Sequence, residues 1–410
     1  MRRIWARALT LTAALGAGLG VGPDKQDFTQ IEQGRYLATV ADCAACHTSP
    51  GGQAMAGGRP IETPFGIVVS PNITPDRETG IGAWTEAQFI AALDRGIGRG
   101  GKHLYPAMPY VYYTHATRTD ELAIRAWLST LPPVHNKVVS NQLPFPLDIR
   151  LAMVGWNMLF FKHGEFQPDK TKSKEWNRGA YLVTGLEHCG ACHTPKNLLG
   201  GDVTSQFLQG ARIQGWFAPN ITNDARRGLG RWSVDDVVAY LQTGHNRFAA
   251  ASGPMGEEVS LSSSRMEAAD LHAMAVYLKD QPGQEDQATP ADAGSGAMRT
   301  GAAIYRDECS ACHTPDGKGV AGLFPALGGS PSVQSRAATS LIRVVLQGAK
   351  SVATPPQPTG AAMPAFGWML TDGQVAAVVT YIRNAWGNAA PAVSAGEVGR
   401  ARETLARRTE

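Results

Sequence analysis

The 410-residue sequence has no cysteine to spare and no stretch apolar enough for long enough to cross a bilayer. The N-terminal apolar run, Ala8 to Val21, holds 14 residues, and a second from Leu151 to Phe161 holds eleven. A membrane-spanning helix needs about 20. No G-x-G-x-x-G follows a strand-like segment, and no other flavin, nicotinamide or molybdenum signature is present, so the chain is not expected to carry a substrate site. An excess of one charge is also lacking, with 38 Lys and Arg against 35 Asp and Glu. Residues 1–22 hold three arginines and no acid, so without them the balance is 35 against 35, a formal charge of zero. No basic field remains to attract phosphates, which excludes nucleic acid as a partner.

What is present is a motif that uses every cysteine. Cys43 to His47 reads CAACH, Cys189 to His193 reads CGACH, and Cys309 to His313 reads CSACH. C-x-x-C-H is the attachment signature of c-type haem. Each thiol adds to a haem vinyl group, and the adjacent histidine is placed beneath the iron as proximal ligand. A single CxxC could equally be a redox pair or half of a zinc site. Three copies, each with its histidine and with no cysteine left over, favour three covalently bound haems c.

Arg2, Arg3 and Arg7 followed by the apolar run form a secretory signal of about residues 1–22. Export agrees with covalent haem attachment, which in bacteria takes place outside the inner membrane. The expected location is the periplasm.

Two long segments read as copies of one unit. The first runs GRYLATVADCAACHT from Gly34, PNIT at 71–74 and GIGAWTEAQFIAAL from Gly80; the second runs RGAYLVTGLEHCGACHT from Arg178, PNIT at 219–222 and GLGRWSVDDVVAYL from Gly228. They predict the same fold over residues 28–135 and 176–282. Thr85-x-x-Gln88, Ser233-x-x-Asp236 and Thr371-x-x-Gln374 are helix-start signals before apolar runs. A third, more compact unit spans 298–388, opening as Gly301, Tyr305 and Cys309, with Pro325 twelve residues after His313. It resembles a single-haem class I cytochrome c. That resemblance implies a hydrogen bond from the proximal histidine to the Pro325 carbonyl; Pro71 and Pro219 lie farther on, and their role stays open. The expected fold is all-α, three tandem cytochrome c-like domains each wrapping one haem. A linker with an apolar aromatic segment (136–175), a polar linker (283–297) and a charged tail (389–410) complete the chain.

A low-spin haem needs a sixth ligand. Met108 in YPAMPY lies 61 residues after His47, Met255 in ASGPMGEE 62 after His193, and Met363 in AAMPAFGW 50 after His313. All three stand in Pro- and Gly-rich loops ahead of the unit's last helix, and that parallel placement outweighs the ordinary gap-filling use of Met. His103 and His115 flank Met108 and are the alternative for the first unit. Met266 and Met274 read as packing on the closing helix, and Met369 is a rival in the third unit. His135, His163, His188, His245 and His272 read as surface or packing residues. The segment Leu151–Phe161 reads first as a helix buried between domains, with an interfacial or partner-binding surface as the sharper alternative. The tail reads as a solvated helix.

With the three motifs, the PNIT repeats and YPAMPY, the chain resembles the triheme cytochrome c subunit of bacterial membrane-bound dehydrogenases acting on gluconate, glucose, sorbitol, fructose or alcohols. The resemblance implies haem attachment at Cys43, Cys46, Cys189, Cys192, Cys309 and Cys312, with axial ligation by His47, Met108, His193, Met255, His313 and Met363. It also implies a flavin- or quinone-dependent catalytic subunit as donor, ubiquinone or a terminal oxidase as acceptor, and association with the membrane surface on the outer face of the inner membrane. A free multihaem carrier and the cytochrome subunit of a molybdenum hydroxylase are the alternatives. A haem enzyme in its own right would need an open iron position, which three Met ligands deny.

Overall fold

The computed structural model describes residues 28–284 and 288–409; the expected signal segment lies outside them. The first copy contains α1 (Phe28–Val40), α2 (Cys43–His47), β1 (Pro60–Thr63), β2 (Gly66–Val69), α3 (Glu86–Asp94), β3 (Ile97–Gly98), β4 (Lys102–His103), α4 (Tyr110–Tyr113) and α5 (Arg118–Leu128). α6 (Ala152–Phe160) lies in the connecting segment. The second copy contains α7 (Lys174–Tyr181), α8 (Cys189–His193), β5 (Ala211–Ile213), β6 (Trp216–Ala218), α9 (Val234–Thr243), α10 (Gly253–Leu261) and α11 (Ala268–Asp280). The C-terminal stretch contains α12 (Gly296–Ile304), α13 (Ser310–His313), α14 (Thr339–Gln347), β7 (Ala349–Lys350), β8 (Ala362–Met363), α15 (Asp372–Ile382) and α16 (Ala395–Thr409). The chain is mostly helical, and its strands pair two by two into antiparallel hairpins, with Ile61 opposite Val68 and Arg212 opposite Phe217.

Local sequence fixes the helix starts. Thr85 with Gln88, Ser233 with Asp236, and Thr371 with Gln374 each form a capping box in which side chain and backbone satisfy one another. Each opening helix then packs against a closing one: α1 on α5, α7 on α11, α12 on α15. The crossings are made close by glycine. A Cβ on Gly34 would overlap the Ala123 carbonyl, one on Gly179 the Ala273 carbonyl, and one on Gly301 the Ala377 carbonyl.

Among the described residues, the buried apolar side chains form two clusters. Leu37, Val40 and Ile124 of the first copy share one with Leu182, Leu271 and Met274 of the second. Tyr305, Val375, Val379 and Ile382 centre the other. The two copies are therefore joined through a common core, while the C-terminal stretch has its own.

Three expectations are corrected. Met255 and Met363, expected in loops, lie on the helix α10 and on the strand β8. α6 has no buried residue, so it is not a helix enclosed between domains. The tail is not simply solvated, because Val398 and Leu405, one helical face at i and i+7, enter the second cluster and Arg402 pairs with Asp372 at 2.9 Å. No helix among the described residues is long and apolar enough to cross a membrane.

Candidate cofactor cavity

The three C-x-x-C-H motifs form short helices, and each presents its histidine in the same way. His47 Nδ1 lies 2.8 Å from the Pro71 carbonyl oxygen, His193 Nδ1 2.7 Å from that of Pro219, and His313 Nδ1 3.1 Å from that of Pro325. A carbonyl oxygen only accepts, so Nδ1 carries the proton and donates. Burial lowers the pKa of all three rings, which keeps them neutral. A neutral ring protonated on Nδ1 leaves the Nε2 lone pair available to a metal, its orientation fixed by the carbonyl. The resemblance of the third unit to a single-haem cytochrome c implied this contact for Pro325; the structure assigns the same part to Pro71 and Pro219. A hairpin, β1–β2 or β5–β6, occupies the longer interval between histidine and proline in the two copies.

The approach to each motif differs in detail. Asp42 and His188, the residues before Cys43 and Cys189, both adopt the left-handed conformation, at φ 48° and 37°. In the C-terminal stretch the chain reaches its motif through a single π-helical turn, Tyr305–Cys309, and α7 runs into a similar turn at Leu182–Leu186.

The six cysteines are half-buried and unpaired. Burial pushes the thiol of Cys43 up to about 12 and those of Cys46, Cys192 and Cys309 up to about 11. Reactive redox cysteines and zinc-binding thiolates need the opposite shift. Among the described residues, no three His, Cys, Asp or Glu side chains converge on a point that could hold a metal ion. The donor chemistry thus fits thiols that add to a vinyl group better than a redox dithiol or a zinc site.

One cavity of about 2100 Å³ contains all of these groups. Its lining includes Cys43, Cys46, His47, Met108, Cys189, Cys192, His193, Met255, Cys309, Cys312, His313 and Met363. Small-molecule pockets occupy about 300–1,000 Å³, so this space is more than a single such ligand fills. Of the other methionines and histidines weighed for a sixth ligand, Met274 also lines it, whereas His103, His115, Met266 and Met369 do not. Met274 and Met266 are buried in the shared core. His115 Nδ1 is engaged with the Thr184 carbonyl at 2.7 Å.

Sequence reading missed an acidic seam between the first two motifs. Asp42, Glu187 and Glu258 line the cavity, with Ser262 Oγ donating to Glu187 at 3.2 Å and Ser263 Oγ to Glu258 at 3.3 Å. Burial, reinforced by Glu258 and Glu257, pushes the Asp42 carboxyl up to about 8, and burial with Glu258 beside it raises Glu187 well above the carboxylate range. Arg59 of the first copy donates to Glu257 of the second and to the Ala45 carbonyl, tying the two copies at the cavity wall. Asp42 and Glu187 stand one and two residues before a motif cysteine, which is the only signal the sequence offered.

Residues 298–386 match the family model for cytochrome c. The chain is 39% identical to the gluconate 2-dehydrogenase cytochrome c subunit of Pantoea cypripedii, covering 93% of this chain and 91% of that protein. It is also 39% identical to the cytochrome c subunit of the quinone alcohol dehydrogenase of Gluconacetobacter polyoxogenes, over 97% and 89%. Identity to one of the nicotinate dehydrogenase subunits of Pseudomonas putida is 39% over 94% of this chain, which spans 33% of that longer protein.

Proposed function

The chain belongs to the cytochrome c subunits of bacterial gluconate, alcohol and fructose dehydrogenases, and from that premise we propose that it is the periplasmic electron-transfer subunit of a dehydrogenase complex, carrying three haems c. The observation that carries this reading is the threefold recurrence of one arrangement. In each, a C-x-x-C-H turn has its histidine Nδ1 on a proline carbonyl and shares a cavity with a methionine.

Cys43 with Cys46, Cys189 with Cys192, and Cys309 with Cys312 would hold the haems by thioether bonds, in domains spanning 28–135, 176–282 and 298–388. His47, His193 and His313 would supply one axial ligand through Nε2, and Met108, Met255 and Met363 the other. Bound there, each haem would take up and release one electron at its iron. The protein's part is to orient the imidazoles through the proline carbonyls. It also surrounds the site with a buried apolar wall, which sets potential and excludes water.

The donor in this reading is a flavin- or quinone-dependent catalytic subunit, and the acceptor is ubiquinone or a terminal oxidase at the outer face of the inner membrane. The match to a nicotinate dehydrogenase subunit favours a second reading, in which the donor is a catalytic subunit that oxidises nicotinate or a similar compound. Purification of the native complex separates these. A catalytic subunit that co-purifies, and whose substrate reduces the haems of this chain, supports the proposal. A chain that purifies alone and is reduced by no dehydrogenase would make it a free carrier.

A further inference from the structure

α6 is a surface helix with its polarity reversed. Leu151, Ala152, Gly155, Met158 and Leu159 form its exposed face, at i, i+1, i+4, i+7 and i+8. That face contains no polar side chain, although surface helices ordinarily turn their polar stripe outward. Leu151, Met158 and Leu159 are 70–81% exposed.

The other side of the helix is anchored. Asn157 Oδ1 accepts from Tyr110 Oη at 2.7 Å, Trp156 Nε1 donates to the Leu199 carbonyl at 2.9 Å, and Phe160 lies against Gly201. These contacts bring the patch beside a loop of the second copy, where Leu198 is 96% and Leu199 59% exposed. The preceding strap adds Phe145, exposed at 81%, and its Asn141, Leu143 and Arg150 line the cavity near the first motif.

We propose that this face, α6 with Phe145 and the Leu198–Leu199 loop, docks the protein flat on a lipid surface bearing anionic headgroups. The inference rests on the reading of the chain as a subunit working at the membrane, and it names the surface that makes the contact. Three features select lipid over protein. The outward side chains of α6 and of the Leu198–Leu199 loop are aliphatic, the rings of Trp156 and Phe160 are turned inward, and Phe145 on the strap adds an exposed ring at the edge of the face. Lys162 stands exposed at the end of the eleven uncharged residues, and residues 137–162 hold two exposed cations, Lys137 and Lys162, against one exposed acid, Asp148, while Arg150 turns inward and donates to the His103 carbonyl at 2.8 Å. Cations rimming an apolar helix complement anionic headgroups. Nine residues make a helix about 14 Å long, too short to span but suited to lying within the headgroup boundary.

The test is flotation of the full-length haem-loaded chain with vesicles of phosphatidylglycerol and phosphatidylethanolamine, and with vesicles of phosphatidylcholine alone. The wild type is expected to float with the anionic vesicles in preference to the neutral ones. The L151E/L159E double variant should reduce the bound fraction at least about ten-fold, because burying a carboxylate replaces burying an isobutyl group. A visible spectrum and thermal unfolding verify that the variant is folded; if it is not, Met158→Gln, a milder change on the same face, takes its place. Wild-type protein that does not float, or a folded variant that floats like the wild type, overturns the proposal. So does a variant that floats normally but no longer holds its dehydrogenase subunit, which would make the face a protein interface. Reduction of the same samples in detergent by the catalytic subunit and its substrate reports on electron transfer separately, so failure to dock and failure to carry electrons are told apart.

Discussion

Tyr36 Oη donates to Asp270 Oδ2 at 2.7 Å, a hydrogen bond that reaches from the first sequence copy to the closing helix of the second. The contact is reciprocated, since Tyr181 Oη of the second copy donates to Asp120 Oδ2 of the first at 2.5 Å. Arg178 reinforces Asp270 with two bonds and Gln33 reinforces Asp120 with one. Each tyrosine lies on the helix leading into its C-x-x-C-H motif, and each aspartate on the helix that closes the other copy. The two copies are thus paired face to face with matching contacts around a shared core. Tyr36→Phe and Tyr181→Phe should each cost about 1.5–3 kcal/mol, the worth of a hydrogen bond to a charged group. Denaturant unfolding of the haem-loaded protein measures it, and a loss below about 0.5 kcal/mol would show that the pairing does not depend on these bonds.

Helix crossings give a sharper contrast. Gly179→Ala places a methyl where the Ala273 carbonyl stands, so it should cost more than about 3 kcal/mol or prevent folding. Gly373→Ala, on α15 with no atom in the way, should instead gain about 0.5–1 kcal/mol through helix propensity and lost unfolded-state freedom. Melting temperatures of the two variants should move in opposite directions.

Glu121 predicts a pH dependence. Its carboxyl is buried with Oε1 unpartnered. Burial and the nearby Asp94 push its pKa from 4.5 up to about 8. A carboxyl raised in the folded state favours folding while protonated. Its contribution is therefore complete below about pH 4.5 and is lost as the pH rises through 8. Glu121→Gln should leave stability at pH 5 nearly unchanged and raise it by about 1–3 kcal/mol at pH 8.5. Equal effects at both pH values would contradict the assignment.

Methionine raises the potential of a haem iron relative to histidine. Met363→Leu should therefore lower one midpoint potential and leave the other two nearly unmoved, as read by spectroelectrochemical titration. Three unchanged potentials would remove Met363 from the ligand set.

Local signals in the sequence translated well. The capping pairs Thr85–Gln88, Ser233–Asp236 and Thr371–Gln374 were legible because both partners lie within one turn. The Pro325 contact was legible only through the resemblance of residues 298–388 to a single-haem cytochrome c. Pro71 and Pro219 were not, since a hairpin intervenes and spacing no longer reports distance. Composition misled at α6, where apolar residues imply burial only if some neighbour covers them. It misled again at α16, where a dense charge pattern hid Val398 and Leu405. The acidic seam of Asp42, Glu187 and Glu258 and the Tyr–Asp pairing arise between copies, and a linear sequence contains no register for that encounter.

The most direct measurement is the haem stoichiometry of the mature chain, by pyridine haemochrome absorbance against protein concentration and by denaturing mass spectrometry. The account predicts three haems per polypeptide, all retained after denaturation because thioether bonds hold them at Cys43/Cys46, Cys189/Cys192 and Cys309/Cys312. Two or fewer haems on fully matured protein, or haem lost on denaturation, would contradict it.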